Sequence, residues 1–85
     1  MNKLTLLIPA HKEAESLPVF LKELEEYKFD KLVVLQKEDI ETINSISDLK
    51  DIKIFFKKNN GYGNALKEGI DSIKTEFFCI INADG

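Results

Sequence analysis

Short apolar runs alternate with apolar residues at helical spacing along the whole of this chain, and that alternation is its strongest constraint. Leu4-Thr-Leu-Leu-Ile8, Leu32-Val-Val-Leu35, Ile52-Lys-Ile-Phe-Phe56 and Phe77-Phe-Cys-Ile-Ile81 read as strands. Between them, Leu17, Phe20, Leu21, Leu24 and Tyr27 form one helical stripe. Ile40, Ile43, Ile46 and Leu49 form a weaker one, and Tyr62, Ala65, Leu66, Gly69, Ile70 and Ile73 a third. Ser16 is placed to cap the first helix, and Pro18 is tolerable in its first turn, where a missing N–H costs little. The order βαβαβαβ predicts an α/β fold, a Rossmann-like parallel sheet with helical crossovers. The near-continuous apolar runs predict strands covered on both faces, with Cys79 buried mid-strand as a small hydrophobe.

Composition narrows the function classes. The chain has 85 residues, with 12 Lys+Arg against 15 Asp+Glu and a net charge of -3. That length holds one domain at most, and a chain this short hides only about 60–65% of its unfolded surface. The mild acidity argues against a nucleic-acid partner bound through phosphate neutralisation. A single cysteine and a single histidine exclude a disulfide framework, a four-thiolate zinc site and a two-histidine metal site. No targeting or membrane-spanning segment is present in the sequence, which makes the cytoplasm the expected location.

Open parallel sheets bind ligands at the carboxyl ends of their strands, so the segments that follow the strands carry the chemistry. After the first strand, Pro9 removes a ladder donor and ends the strand. Glu13 then lies near a helix N-terminus. There its carboxylate serves either to accept hydrogen bonds from ligand hydroxyls or merely to stabilise the helix dipole. His11 reads as a partly exposed loop residue rather than a ligand or base. Before the third helix, Asn59-Asn-Gly-Tyr-Gly63 offers two glycines, which permit positive φ or close approach of a ligand. The helix N–H groups there suit a diphosphate, although a plain Asn-Gly turn has the same sequence. Gly69, inside that helix, points to close helix–sheet packing. Lys57 and Lys58 serve either diphosphate binding or the solvated surface. After the fourth strand, Asp84 would project from the strand end, where a carboxylate can hold a hard divalent cation; an Asp-Gly turn is the alternative.

Two common phosphate motifs are absent. A dinucleotide fingerprint built on Gly61 and Gly63 needs a third glycine or alanine where Leu66 stands, and no Gly-Lys pair exists for a P-loop.

Together these segments resemble the family 2 glycosyltransferases of GT-A fold, the group that contains dolichol-phosphate mannose synthases. Leu6-Leu-Ile-Pro-Ala-His-Lys-Glu13 is similar to the family's opening strand and its Ile-Pro-x-x-Asn-Glu turn. Asn59-Asn-Gly-Tyr-Gly-Asn-Ala-Leu-Lys-Glu-Gly-Ile70 is similar to its Asn-x-Gly-x-Gly-x-Ala-x-x-x-Gly-Ile helix opening. Phe77-Phe-Cys-Ile-Ile-Asn-Ala-Asp-Gly85 is similar to its strand leading into an Asp-x-Asp metal motif. The resemblance implies the N-terminal half of a GT-A fold and transfer of a sugar from a nucleotide-sugar donor, with Mg²⁺ or Mn²⁺. It implies that Pro9, Ala10 and Glu13 line the nucleoside pocket, that Asn60, Gly61 and Gly63 sit beside the nucleotide, and that Asp84 ligates the metal. Asn82 stands where the family has its first motif aspartate, and so supplies an amide in place of a charge.

The chain departs from the family pattern in three places. Lys12 replaces the Asn before Glu13. Val33-Val-Leu-Gln-Lys-Glu38 replaces the Val-Val-Asp-Asp-Gly-Ser that carries base-contacting carboxylates, with Asp39 the nearest substitute. The family's acceptor site and catalytic base lie beyond the metal motif, so these residues correspond to a donor-binding half that is inactive alone. An apolar fourth strand without further partners predicts self-association through the sheet edge. Two other readings compete: an α/β module whose nucleotide site has decayed, and a flavodoxin-like or response-regulator-like domain. The latter would want an acidic cluster where His11 and Lys12 stand.

Overall fold

The computed structural model describes residues 4–49, 51–58 and 61–82. Their order is β1 (Leu4–Pro9), α1 (Ser16–Glu23), β2 (Asp30–Leu35), α2 (Ile40–Ser45), β3 (Ile52–Phe56), α3 (Tyr62–Ser72) and β4 (Phe77–Ile80). The four strands form one parallel sheet in the order β3-β2-β1-β4. The expected α/β parallel architecture is therefore present.

Side-chain alternation along the two central strands sends neighbouring residues to opposite faces. Ile8, Val33 and Leu35 pack with Leu17 and Leu21 of α1 and with Ile46, just past α2. Leu7 and Val34 face the other way and pack with Ala65 of α3. Thus α1 and α2 cover one face and α3 the other. Leu7, Ile8, Val33, Val34 and Leu35 are all fully buried, as continuous apolar runs require.

Gly69 sits at the tightest point of this packing. A Cβ there would lie 2.7 Å from Leu7 Cδ1 and 2.9 Å from Val34 Cγ2. Glycine in a helix interior costs about 1 kcal/mol relative to alanine. Here that cost lets α3 approach β1 and β2.

The buried polar groups are accounted for. Lys31 Nζ donates to the Tyr27 carbonyl (2.9 Å), and the Thr5 and Thr75 hydroxyls bond each other (2.6 Å). Among the described residues no buried side-chain N or O lacks a partner.

Four expectations need correction. Tyr27 lies beyond α1 and is exposed, stacked on Phe29 at 6.5 Å. The helix closes after Glu23 through three-residue bonds, Leu24 N–H to Leu21 O and Glu25 N–H to Lys22 O, which turn the chain back toward β2. Ser16 is the first helical residue and not the cap; its hydroxyl donates to the Glu13 carboxylate. Ile40 is exposed, and Thr42 takes the inward position with Ile46. The six-residue α2 faces the core through Thr42 and Ile43, and Leu49 packs on that core from beyond its end. Finally, β4 is not covered: Phe77, Phe78, Cys79 and Ile80 are all exposed, so Cys79 is not a core residue. The cause is placement, because α3 packs over β1 and β2 while β4 lies at the sheet edge.

A Gly69→Val substitution forces branched carbon into a space already closed by two fully buried side chains. Overpacking of this kind costs about 1–3 kcal/mol, and valine falls at the upper end. Urea denaturation should read a loss of about 2 kcal/mol or more; an unchanged midpoint would mean that α3 is free to lift from the sheet.

Candidate functional site

Parallel pairing brings every strand's carboxyl end to one edge of the sheet. The chain runs β1 to β2 to β3 in one direction, then crosses back to place β4 on the other side of β1. Strand order reverses at β1, and the crevice between diverging loops at such a reversal is where open α/β sheets bind ligands. The segments entering it are the turn after Pro9 and the residues after β4. The Ile81 N–H still bonds the Leu7 carbonyl (2.9 Å), so Asn82 emerges beside the end of β1.

The β1–α1 turn is built from specific contacts. Pro9 closes β1 in register with Val34, and the Ala10 N–H donates to the Val34 carbonyl (3.0 Å). Both side chains are buried, Ala10 within the α1–α2 core. These two residues therefore present backbone, not side chain, to the edge. Lys12 adopts φ +52°, a left-handed conformation that costs a non-glycine residue about 1–2 kcal/mol. Its N–H donates to Asp39 Oδ2 (2.7 Å). The next N–H, of Glu13, donates to Thr42 Oγ1 (3.1 Å), and that hydroxyl donates to Asp39 Oδ1 (2.9 Å). Glu13 is half-buried and its carboxylate accepts from Ser16. His11 is exposed.

Asp39 thus departs from its expected part as a substitute for base-contacting carboxylates. Both of its oxygens are engaged inside the protein, one by the β1–α1 turn and one by α2. Burial alone would raise its pKa. The hydrogen bonds from Lys12 and Thr42, with the field of His11, outweigh burial and hold it below the ordinary value of 3.8. The Asp-x-x-Thr spacing at the start of α2 is the signal by which this contact was readable.

The β3–α3 turn is braced differently. Lys57 Nζ lies 3.4 Å from the Gly61 carbonyl, and the Lys58 N–H donates to Glu68 Oε1 (2.7 Å). Only Lys57 uses its side chain in this brace; Lys58 is exposed and contributes its backbone N–H. Gly61 has φ +102°, which only glycine adopts readily. Gly63 lies in the first turn of α3 with ordinary backbone, and nothing lies within 4 Å of a Cβ placed on it. Only one of the two glycines is therefore demanded by chain geometry.

The structure brings Ala10, Glu13, Gly61, Gly63 and Asn82 to the same sheet edge. Asn60 and Asp84 lie outside the described residues. Among the described residues no group of three or more His, Cys, Asp or Glu side chains gathers to hold a metal ion. A groove of about 460 Å³ does occur at the opposite, amino edge, lined by Tyr27, Phe29, Lys31 and Asp51 among others. It contains none of the candidate site residues read from the sequence. No helix among the described residues is long and apolar enough to cross a membrane.

The model of glycosyl transferase family 2 matches residues 5–85, nearly the whole chain. No curated protein matches it. The family match spans all the described strand ends, and this chain belongs to the family 2 glycosyltransferases.

Proposed function

We propose that these residues form the nucleotide-sugar-binding half of a family 2 glycosyltransferase domain, of the dolichol-phosphate mannose synthase-like kind, which supplies the donor site and does not complete transfer by itself. The observation that carries this reading is Gly63. Neither its φ nor its packing requires glycine, and glycine in a helix is less favourable than alanine by about 1 kcal/mol. An absent side chain at a helix N-terminus beside an open strand edge suits close approach of a diphosphate to the backbone N–H groups.

In this reading the Glu13 carboxylate accepts a hydrogen bond from a donor hydroxyl, and the Pro9–Ala10 backbone forms the wall of the nucleoside pocket. Asn60 and Gly61 border the nucleotide, and Asn82 offers an amide to a ribose hydroxyl or a water. Asp84 is the residue that would hold Mg²⁺ or Mn²⁺. Bound there, such an ion neutralises the charge that develops on a leaving nucleoside diphosphate. Because Asp39 is engaged within the protein, base recognition falls to other groups at the β2 end. The proposed location remains the cytoplasm.

A second reading, a module of the same fold whose nucleotide site has decayed, is favoured by one observation: Asp39, the nearest substitute for the carboxylate pair missing after β2, is already bonded on both oxygens. Titration calorimetry with UDP, GDP and their sugars, with and without Mn²⁺, separates the two. The donor reading expects metal-enhanced binding at or below millimolar ligand, weakened at least tenfold by Gly63→Val. Retention of the fold with no binding at those concentrations would favour the decayed module.

We further propose that chains associate through β4. Its four exposed apolar residues carry an outer backbone edge that no described strand pairs, and such edges recruit further strands. Light scattering at rising concentration should show growth in mass that Phe78→Lys suppresses. A constant monomer mass would remove this proposal.

A further inference from the structure

Two loops from different strands meet at the candidate site, and one carboxylate joins them. Asp39 lies 27 residues beyond Lys12, yet its Oδ2 accepts the Lys12 N–H at 2.7 Å. Its Oδ1 accepts from Thr42, whose hydroxyl oxygen in turn accepts the Glu13 N–H. Two successive N–H groups of the β1–α1 turn are thereby tied to the start of α2. Thr42 is fully buried and cannot swing away. Lys12, between those tied groups, holds a left-handed φ of +52° although it is neither glycine nor asparagine. Such a conformation persists only where its surroundings over-determine it.

We propose that Asp39 is a positioning residue for the donor site: by fixing the left-handed turn at Lys12 it sets the direction in which the Glu13 carboxylate and the Ala10–Lys12 backbone face the crevice. The inference rests on the donor-binding reading above, and gives the β2–α2 loop a part in nucleotide binding without contact to the nucleotide. His11 faces Asp39 from the turn and adds a favourable field. Lys37, Glu38 and Glu41 on the β2–α2 side are exposed.

The test has two readouts on the whole chain. The first needs no ligand. In an NMR pH titration the Lys12 amide proton should shift as Asp39 takes up its proton, with a midpoint below 3.8. That step should vanish in Asp39→Asn, which assigns it to Asp39. The second readout is calorimetric binding of UDP and GDP with Mn²⁺. Asp39→Ala should weaken binding at least tenfold. Asp39→Asn should recover most of it, since its Oδ1 can accept the Lys12 N–H while its amide donates to the Thr42 oxygen. Lys12→Asn, which favours the left-handed turn locally, should restore part of the affinity lost in Asp39→Ala.

The outcomes are separable. A Lys12 amide that ignores Asp39 would overturn the proposal, as would wild-type affinity in Asp39→Ala. A wild-type chain that binds neither nucleotide overturns the donor reading and the positioning role together. Wild-type binding with an indifferent Asp39→Ala overturns the positioning role alone.

Discussion

The double-sided burial of β1 is the constraint on which the rest of the structure depends. Leu7 and Ile8 are adjacent in sequence and point to opposite faces, and both are fully buried. A strand of that kind must be roofed by helices on both sides and flanked by strands on both edges. The chain meets the requirement by winding β2 and β3 to one side under α1 and α2, then returning through α3 to lay β4 on the other. The reversal of direction at β1 is the geometric consequence, and the reversal opens the crevice at its carboxyl end. The site's location thus follows from how two neighbouring apolar side chains are buried.

Closeness of packing carries the same logic into α3. Gly69 lets the helix rest on Leu7 and Val34, so the start of α3, with Gly61 and Gly63, is held at the level of the strand ends. Glycine serves three separate purposes within nine residues: a left-handed bend at Gly61, an open surface at Gly63 and a close contact at Gly69. Substitution at each would act on a different quantity, namely turn geometry, ligand approach and stability.

Much of this was legible in the sequence. The four strands and three helices follow from apolar periodicity, and β3 matches its apolar run residue for residue. The close packing at Gly69 and the gathering of strand-end turns were also readable, since both follow from topology. What was not legible depended on position within the sheet. Phe77-Phe-Cys-Ile reads the same in a central strand as at an edge, so the exposure of Cys79 could not be foreseen from its own neighbours. Tyr27 continued a helical stripe that the turn back to β2 cuts short. Asp39 lies in a segment with little periodicity, and its partner Lys12 is 27 residues away. A contact of that range leaves no local trace beyond the Asp-x-x-Thr spacing. Asn60 and Asp84 rest on the sequence reading and the family resemblance, because they fall outside the described residues.

The central claim is that the carboxyl edge beside β1 and β4 receives a nucleotide-sugar. Amide chemical shifts recorded during addition of nucleoside diphosphate and a divalent cation test it most directly, because they report where the ligand sits as well as whether it binds. The account predicts that the largest changes cluster at Ala10–Glu13, Gly61–Gly63 and Asn82, with little change at the opposite edge. Changes centred on Tyr27–Lys31 and Asp51, or none at all at saturating ligand, would contradict it.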